Sequence, residues 1–486
     1  MIPLTLGEIA RVTGGRVHPG SPDTAATLIT GPVVTDSREA GPGGLYVARR
    51  GESADGHDFV AGAAGLGAAA ALTNRPVDDL PCVVVEEDPA RLSPRPDRPP
   101  YDAVTRAFAA LAREVHDRCV AHDGLRTVAI TGSSGKTSTK DLMAQVLAGL
   151  GPTLAPEASY NSEVGLPLTV CRLTEDTAYL VAEMGASGIG HIAHLTQAAP
   201  PDVSVVLNVG SAHLGEFGSR EAIAQAKAEI VAALGEGGLA VLNADDALVS
   251  AMAPVAERVG ARTVLVGLAP DAEIRAQDVR LDDRGRASFL LTAPGGVAEP
   301  VSLQLAGEHQ VGNALAVAAV AAEWGMPWAE VAAALTAATP RSRWRMEVSE
   351  RADGVVVVND AYNANPESMR AALRALAAMR REGGRTVAAL GGMLELGADS
   401  DAEHEGVGAT AAELGVDELV VVGLVARPAA TAYLAAGGAR ATTVTDRHEA
   451  RTHLEETLRP GDVVLLKSSR DSGLRLLGDE LVGVDT

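Results

Sequence analysis

A three-domain α/β protein is what this 486-residue sequence predicts, and three observations carry the expectation. At roughly 100 to 200 residues per domain, the length suits about three compact units. Continuous Val/Ile/Leu runs alternate with helical patterns, which is how a parallel sheet covered on both faces reads. The alternation lapses before Pro340 and restarts at GVVVVNDAY, so one α/β unit is followed by another.

The elements follow in chain order. The first hundred residues mix short strands (VVT at 33–35, LYVA at 45–48, CVVVE at 82–86) with an Ala/Gly-rich helix near 60–71. They end in a Pro-rich stretch, 92–100, that reads as a linker and bounds a small α/β domain at 1–98. An amphipathic helix over about 102–119 opens the central domain, 99–340, whose strands are TVAITG, YLVAEMG, DVSVVLNVG, GLAVLN and TVLVGL. A more polar stretch, 272–306, carries alternating strands such as ASFLLTA and VSLQLAG, and an Ala-rich helix begins near His309. The last domain, 341–486, is a Rossmann-like series: GVVVVNDAY, TVAALGGM, ELVVVGLVA, ATTVT and DVVLLKSS, each followed by a helical segment. No fixed-period repeat is present.

Composition narrows the function classes. With 41 Lys plus Arg against 63 Asp plus Glu, the net charge of −22 repels phosphate backbones and anionic headgroups, so neither nucleic acid nor a membrane surface is an expected partner. No apolar run approaches the ~18 to 20 residues of a membrane span, and the first residues lack a basic segment followed by an apolar one. A cytoplasmic protein is expected. Cys82, Cys119 and Cys171 form no CxxC pair and read as reduced apolar fillers. Lysine is rare: Lys136, Lys140, Lys227 and Lys467 are the only four, against 37 arginines. A compact ammonium can lose its proton and become a nucleophile, which a guanidinium cannot, so each lysine asks for a reason.

The strongest chemical signal is TVAITGSSGKTST, a buried strand, a Gly-containing turn, and Gly-Lys-Thr opening a helix. Backbone N–H groups of Gly132, Ser133, Ser134 and Gly135, with the helix start at Lys136, Thr137 and Ser138, are placed to cradle phosphates. Lys136 would reach the terminal phosphates and Thr137 would hold Mg²⁺. Ile130 stands where the G-x4-G-K-[ST] pattern has its first Gly, so the match is partial. Glu183 closes one later strand and His213 lies just past another, where ligand chemistry gathers in parallel sheets. Each alone reads as a satisfied polar terminus; beside the loop, metal ligation becomes the better account. Lys227 falls on the apolar stripe of Ile223, Ile230, Val231 and Leu234 behind a Ser219 cap. Its ammonium either snorkels to water or, as a neutral amine, takes up CO₂ to become a carbamate able to bind Mg²⁺.

Taken in order, TGSSGKTSTK, SYNSEVGLPLTV, AEMGASGIGHI, NVGSAHLGEFGSREAIAQAKAEI, AGEHQVGNALA, RWRMEV, NDAYNANPESM, LGGMLELG and LLKSSR resemble the hallmarks of the Mur ligase family across nearly the whole chain. The opening TDSREAGPGGLYVARRGESADGHDF resembles the first domain shared by members that add the third residue and members that add the terminal dipeptide, and NDAYNANPESM is similar to the dipeptide-adding members. The resemblance implies a UDP-substrate domain, an ATPase domain and a Rossmann-like domain that closes over both. ATP would phosphorylate the terminal carboxylate of UDP-N-acetylmuramoyl-tripeptide, and the amine of D-alanyl-D-alanine would attack the acyl phosphate, in a monomer using two Mg²⁺ ions.

By the same resemblance, Lys136 and Thr137 contact phosphate and Mg²⁺, Glu183 and His213 are metal ligands, and Lys227 is carbamylated. Asn161 is a phosphate-side Asn, with Ser162 where a second Asn is common. His309 and Asn313 match the adenine side, with Gln310 in place of Asn. Arg345 matches a γ-phosphate contact and Asp360 a ribose contact. Ser37 and Arg38 match the UDP segment, Arg50 replaces the usual Lys, and His57 with Asp58 faces the sugar peptide or simply forms a turn. Asn363 and Asn365 hold the dipeptide or start a helix; Lys467, Ser469 and Arg470 receive a ligand carboxylate or end a strand in solvent. Met393 and Glu395 match a loop of unassigned role. Two other readings stay open: a related acyl-phosphate ligase of the diaminopimelate-adding or folylpolyglutamate type, and a P-loop switch or motor that hydrolyses nucleotide without forming an amide.

Overall fold

The computed structural model describes residues 1–51, 54–87, 101–156, 158–211 and 214–484. The expected linker at 92–100, the boundary at 98/99 and His213 lie outside the described residues. Contact density groups the chain into two compact units, one of 1–129, 151–186 and 190–202, the other of 130–150, 187–189 and 203–486.

The first unit opens with helix Leu6–Thr13, whose start is fixed by a capping box: Glu8 N donates to Thr5 Oγ1 at 3.2 Å and Thr5 N to Glu8 Oε2 at 2.8 Å. A five-stranded sheet follows in the order Arg16–His18, Cys82–Val84, Ala70–Thr73, Leu45–Val47, Val33–Val34, antiparallel only at its first pair. The helix expected near 60–71 is shorter, Val60–Gly65, because Gly67 at φ 95° turns the chain and the next alanines become the strand Ala70–Thr73. Pairing on both sides, with Leu45–Val47 and Cys82–Val84, overrides the helix preference of alanine. Helix Ala103–Asp123 runs between an Asp102 N-cap and a left-handed Gly124, four residues beyond the expected end. Strands Tyr179–Glu183 and Thr153–Leu154 pair in parallel.

Along strand Arg126–Thr131 the chain passes into the second unit. There Val203–Val206, Leu239–Asn243 and Arg262–Gly267 form a parallel run, followed by Ile274–Leu281 and the antiparallel Arg286–Ala293 and Val297–Ala306. The polar stretch thus holds the expected alternating strands, which the structure joins as an antiparallel meander. Helix Gln310–Glu323 buries almost every side chain of its first three turns, as its Ala-rich composition allows.

The last six strands stand in the order Glu347–Glu350, Val356–Asn359, Val463–Lys467, Thr386–Leu390, Glu418–Val422, Ala441–Val444, all parallel except the first. Their apolar runs are continuous because alternate residues feed two cores: Val356, Val358, Val463 and Leu465 lie in one, Val355, Val357, Val464 and Leu466 in the other. Helix Pro366–Ala378 covers one face and Leu474–Leu481 the opposite face. The adjacent strands preceding them thus part at their carboxyl ends, which opens a crevice there. Among the described residues no helix is long and apolar enough to cross a membrane.

Candidate active site

The turn after Arg126–Thr131 is shaped by two glycines that admit no side chain. A Cβ on Gly135, at φ 83°, would lie 2.8 Å from Asn313 Oδ1; one on Gly132 would lie 3.0 Å from Leu207 Cβ. Helix Lys136–Leu147 begins without a side-chain cap, so its first amides face the turn with the positive end of the helix dipole behind them. Asn208 fixes the loop from below: Ser134 N donates to its Oδ1 at 2.9 Å and its Nδ2 donates to Ser134 O at 3.2 Å. Lys136 curls over the turn, Nζ donating to Gly132 O at 2.6 Å, while Thr137 is buried one residue on. This is an anion cradle with a cation folded across it.

Lys227 is almost wholly withdrawn from water. It sits in helix Arg220–Ala232 at 5% exposure between Ile223, Ala226, Ile230 and Val231, and no described residue accepts from its ammonium. Burial, and then the Lys136 charge, push its pKa well below the ordinary lysine value. In the first unit, Glu183 is 1% exposed, and its Oε1 accepts from Asn161 Nδ2 at 2.7 Å. Among the described residues no three His, Cys, Asp or Glu side chains gather as a metal cluster. Thr137 and Glu183 are nevertheless oxygen donors of the hard kind that Mg²⁺ takes, and a carbamate on Lys227 would add more.

The third region presents Arg345 on an unusual backbone. Trp344 (φ 60°) and Met346 (φ 50°) flank it in left-handed conformations that non-glycine residues rarely adopt. Buried Asp479 holds the turn by accepting from Trp344 Nε1 at 3.0 Å and from Arg343 Nη2 at 2.9 Å. Met346 N donates to Asp360 Oδ1 at 3.0 Å, and the Arg345 guanidinium lies 4.2 Å from the centre of the Tyr362 ring. Arg345 lines a cleft with Ser138 and Gln310, the latter accepting from Asn313 Nδ2 at 2.8 Å. In the crevice of the last sheet Lys467 Nζ donates to Asp360 Oδ2 at 2.5 Å and to Asn363 O at 3.1 Å. His309, at the start of helix Gln310–Glu323, is within electrostatic reach of both Asp360 and Lys467.

Comparison with known proteins identifies the relatives of this chain. Three family models match in order: Mur ligase family, catalytic domain, over 32–115; Mur ligase middle domain over 130–321; and Mur ligase, glutamate ligase domain, over 344–470. The UDP-N-acetylmuramoyl-tripeptide--D-alanyl-D-alanine ligase of Mycobacterium tuberculosis is 48% identical, with 100% of this chain and 99% of that protein covered. The chain belongs to the Mur ligase family. The Escherichia coli ligase of the same name is 35% identical over 87% of this chain and 86% of that protein. A crystal structure of MurF from Acinetobacter baumannii superposes with a TM-score of 0.86 at 30% identity, covering 99% of both chains. MurF from Thermotoga maritima, solved in complex with ADP, gives 0.78 at 29% identity over 94% of this chain and 98% of that one. The fold is accordingly the three-domain α/β fold of a Mur ligase.

In this Mur ligase the remaining expected residues are placed unevenly. Ser37 starts a short 3-10 turn and Arg38 is exposed, its guanidinium forked onto Asp36, whose carboxyl it holds down at about 2. Arg50 is exposed and bridges to Asp55 through the backbone. His57 is buried as a turn residue: its Nε2 accepts from Asn74 N at 3.3 Å, so Nδ1 carries the proton it donates to Asp55 at 2.6 Å. Asp58 beside it is exposed. Asn363 is exposed, whereas Asn365 is buried and caps helix Pro366–Ala378 through Ser368 N at 2.9 Å. Sequence reasoning missed Asn208, Glu367 and Asp479. Asn208 could have been found, since it lies two residues past the strand Val203–Val206; Asp479 lies too far along the chain from Trp344 to signal itself.

Proposed function

We propose that this Mur ligase joins UDP-N-acetylmuramoyl-tripeptide to D-alanyl-D-alanine at the expense of ATP, in the cytoplasmic synthesis of cell-wall precursors. What carries the reading is that the likeness to ligases of this one activity runs the whole length of the chain, third region included. A P-loop switch has no use for that third region, and the related amine acceptors are represented by more distant likenesses. We assign the three parts to 1–98, 99–340 and 341–486, binding the UDP sugar peptide, ATP, and nucleotide plus amine respectively.

A carboxylate is a poor electrophile until one oxygen becomes a phosphate leaving group, so the γ-phosphoryl must first be transferred to the tripeptide acid. The amides of Gly132 and Gly135 and of the following turn through Ser138 bind the phosphates, Ser133 and Ser134 shape the cradle with their own amides held by Asn208, and Lys136 and Arg345 draw charge off the transferring group. Thr137, Glu183, His213 and carbamylated Lys227 would hold magnesium, which neutralises phosphate charge when bound. Asn161 orients Glu183 through its amide. His309 and Asn313 take the adenine side, and Asp360 takes the ribose. Ser37, Arg38, Arg50 and Asp58 face the UDP substrate and Asn363 faces the dipeptide, while His57 and Asn365 hold the turn and the helix start that carry them. The amine then displaces phosphate from the acyl carbon, giving the amide, ADP and phosphate.

The test is incubation with ATP, Mg²⁺, UDP-N-acetylmuramoyl-tripeptide and D-alanyl-D-alanine, with the amide detected by mass spectrometry. Preference for diaminopimelate on the matching dipeptide acid, or ATP hydrolysis without amide, would overturn the reading. Asp360→Ala should raise the ATP KM. It should also cost about 3 kcal/mol in thermal unfolding, because the Lys467 ammonium, whose side chain is 3% exposed, loses its carboxylate. An unchanged ATP KM would remove the ribose assignment.

A further inference from the structure

We infer that Glu367 is a positioning residue that latches the third region onto the phosphate loop, so that Arg345 meets the transferring phosphoryl group in register. The inference rests on the proposed ligase reading and adds to it a residue that neither the motifs nor the chemistry had called for.

Glu367 lies in the first turn of helix Pro366–Ala378. Its Oε1 accepts from Ser211 N at 2.8 Å and from Ser211 Oγ at 3.0 Å, and its Oε2 stands 3.2 Å from the same hydroxyl. Ser211 is 4% exposed, so this is a desolvated, charge-assisted grip. The approach is close: a Cβ on Gly210 would lie 2.6 Å from Glu367 Cδ, so a side chain there would have to push the carboxylate aside. Gly210 in turn ties into the phosphate loop, its N donating to Ser133 Oγ at 2.9 Å. A second strut runs in parallel, Asn365 Nδ2 donating to Ser133 O at 3.4 Å.

From the same helix start the connection continues to Arg345. Tyr362 N donates to Trp344 O at 3.2 Å, and the Tyr362 ring underlies the Arg345 guanidinium. Loop and latch are thus joined by hydrogen bonds, and the short run of chain from 362 to 365, with the Tyr362 ring against the guanidinium, carries the connection on to the arginine. A carboxylate beside a triphosphate cradle is electrostatically unwelcome, and its orientation explains its presence: both oxygens face the donors of Ser211. Phosphoryl transfer depends mostly on placement, and a misplacement of about 1 Å can cost ~10²-fold in rate. Loss of the latch should thus appear in kcat, with ground-state nucleotide binding little changed.

The experiment is steady-state ligation by the full-length protein with ATP varied, comparing Glu367→Ala, Glu367→Gln, Ser211→Ala and the double Ser211→Ala/Glu367→Ala. Glu367→Ala should lower kcat roughly 30- to 100-fold while the ATP KM moves less than about threefold. Glu367→Gln keeps a carbonyl oxygen for both Ser211 donors and should return to within about fivefold of the parent. Ser211→Ala should fall between, and the double variant should be no worse than Glu367→Ala. Unchanged kcat in Glu367→Ala, a loss confined to ATP KM, or equal damage from Gln and Ala, as a charge or metal role would give, each overturns the latch. If Glu367→Ala does not fold, an unimpaired Ser211→Ala overturns it alone. Absence of ligation by the parent protein would instead overturn the proposed function, and the two failures are distinguishable.

Discussion

Lys227→Met is expected to abolish amide formation and at the same time to raise the thermal midpoint. The two effects have one cause. An amine at 5% exposure among Ile223, Ala226, Ile230 and Val231 pays for losing water, and the nearby Lys136 charge adds to the penalty, so its folded pKa lies well below that of the unfolded chain. Between those two values the unfolded chain holds the extra proton. Stability therefore rises with pH across that window, and at neutral pH the burial is a cost that methionine removes. In CO₂-depleted buffer Lys227→Met should melt higher, by roughly 2–4 °C for each kcal/mol recovered. The same depression keeps a fraction of the amine neutral near pH 7 to 8, which is the form that adds CO₂: the nitrogen lone pair attacks carbon, a proton leaves, and a carbamate anion results. Ligation should fall by ~10³ or more in Lys227→Met, as when a preorganised electrostatic group is removed. Parental activity should fall on CO₂ removal and recover with bicarbonate. An active Lys227→Met, or one that melts lower, would remove the carbamate assignment.

What the sequence disclosed and what it concealed divide along a physical line. Signals carried by neighbours in the chain were legible. The last sheet announced itself because a strand buried on both faces must be apolar at every position, and Val355 to Val358 do feed two cores alternately. The phosphate turn was legible because Gly-Lys-Thr directly follows an apolar strand, with glycines where Cβ atoms would crowd Leu207 and Asn313, and a lysine on an apolar helical stripe is conspicuous by spacing alone. Signals set by the fold were not. Residues 68–71 read as the end of an alanine helix, and only pairing with strands on both sides decides otherwise. Asp479 supports the left-handed turn around Arg345 across a long stretch of chain, and nothing local to either segment records it. Glu367 was hidden in another way: within NANPES it looks like an ordinary acidic residue at a helix start, where the dipole alone would justify it. Its bonds to Ser211 give it a second reason that only the folded chain reveals.

Lys136→Ala should be nearly as damaging as the loss of Lys227, and the manner of its damage ties the two lysines together. With Nζ donating to Gly132 O at 2.6 Å, Lys136 is already folded over the cradle, so its charge is in place before phosphate arrives. Removing it should lower kcat by ~10³ through lost stabilisation of the transferring phosphoryl group. Lys136→Arg should not rescue, since a planar fork cannot replace a compact ammonium inside a turn built to glycine dimensions. The Lys136 charge also helps to hold the Lys227 pKa down, so its removal lets that pKa climb back toward the ordinary lysine range. A higher pH is then needed for the same fraction of neutral amine. The residual activity of Lys136→Ala should accordingly show its rising limb at higher pH than the parent, and it should need more bicarbonate at pH 7. A uniform loss of rate with an unmoved pH profile would mean that the two side chains act separately, each on its own part of the site.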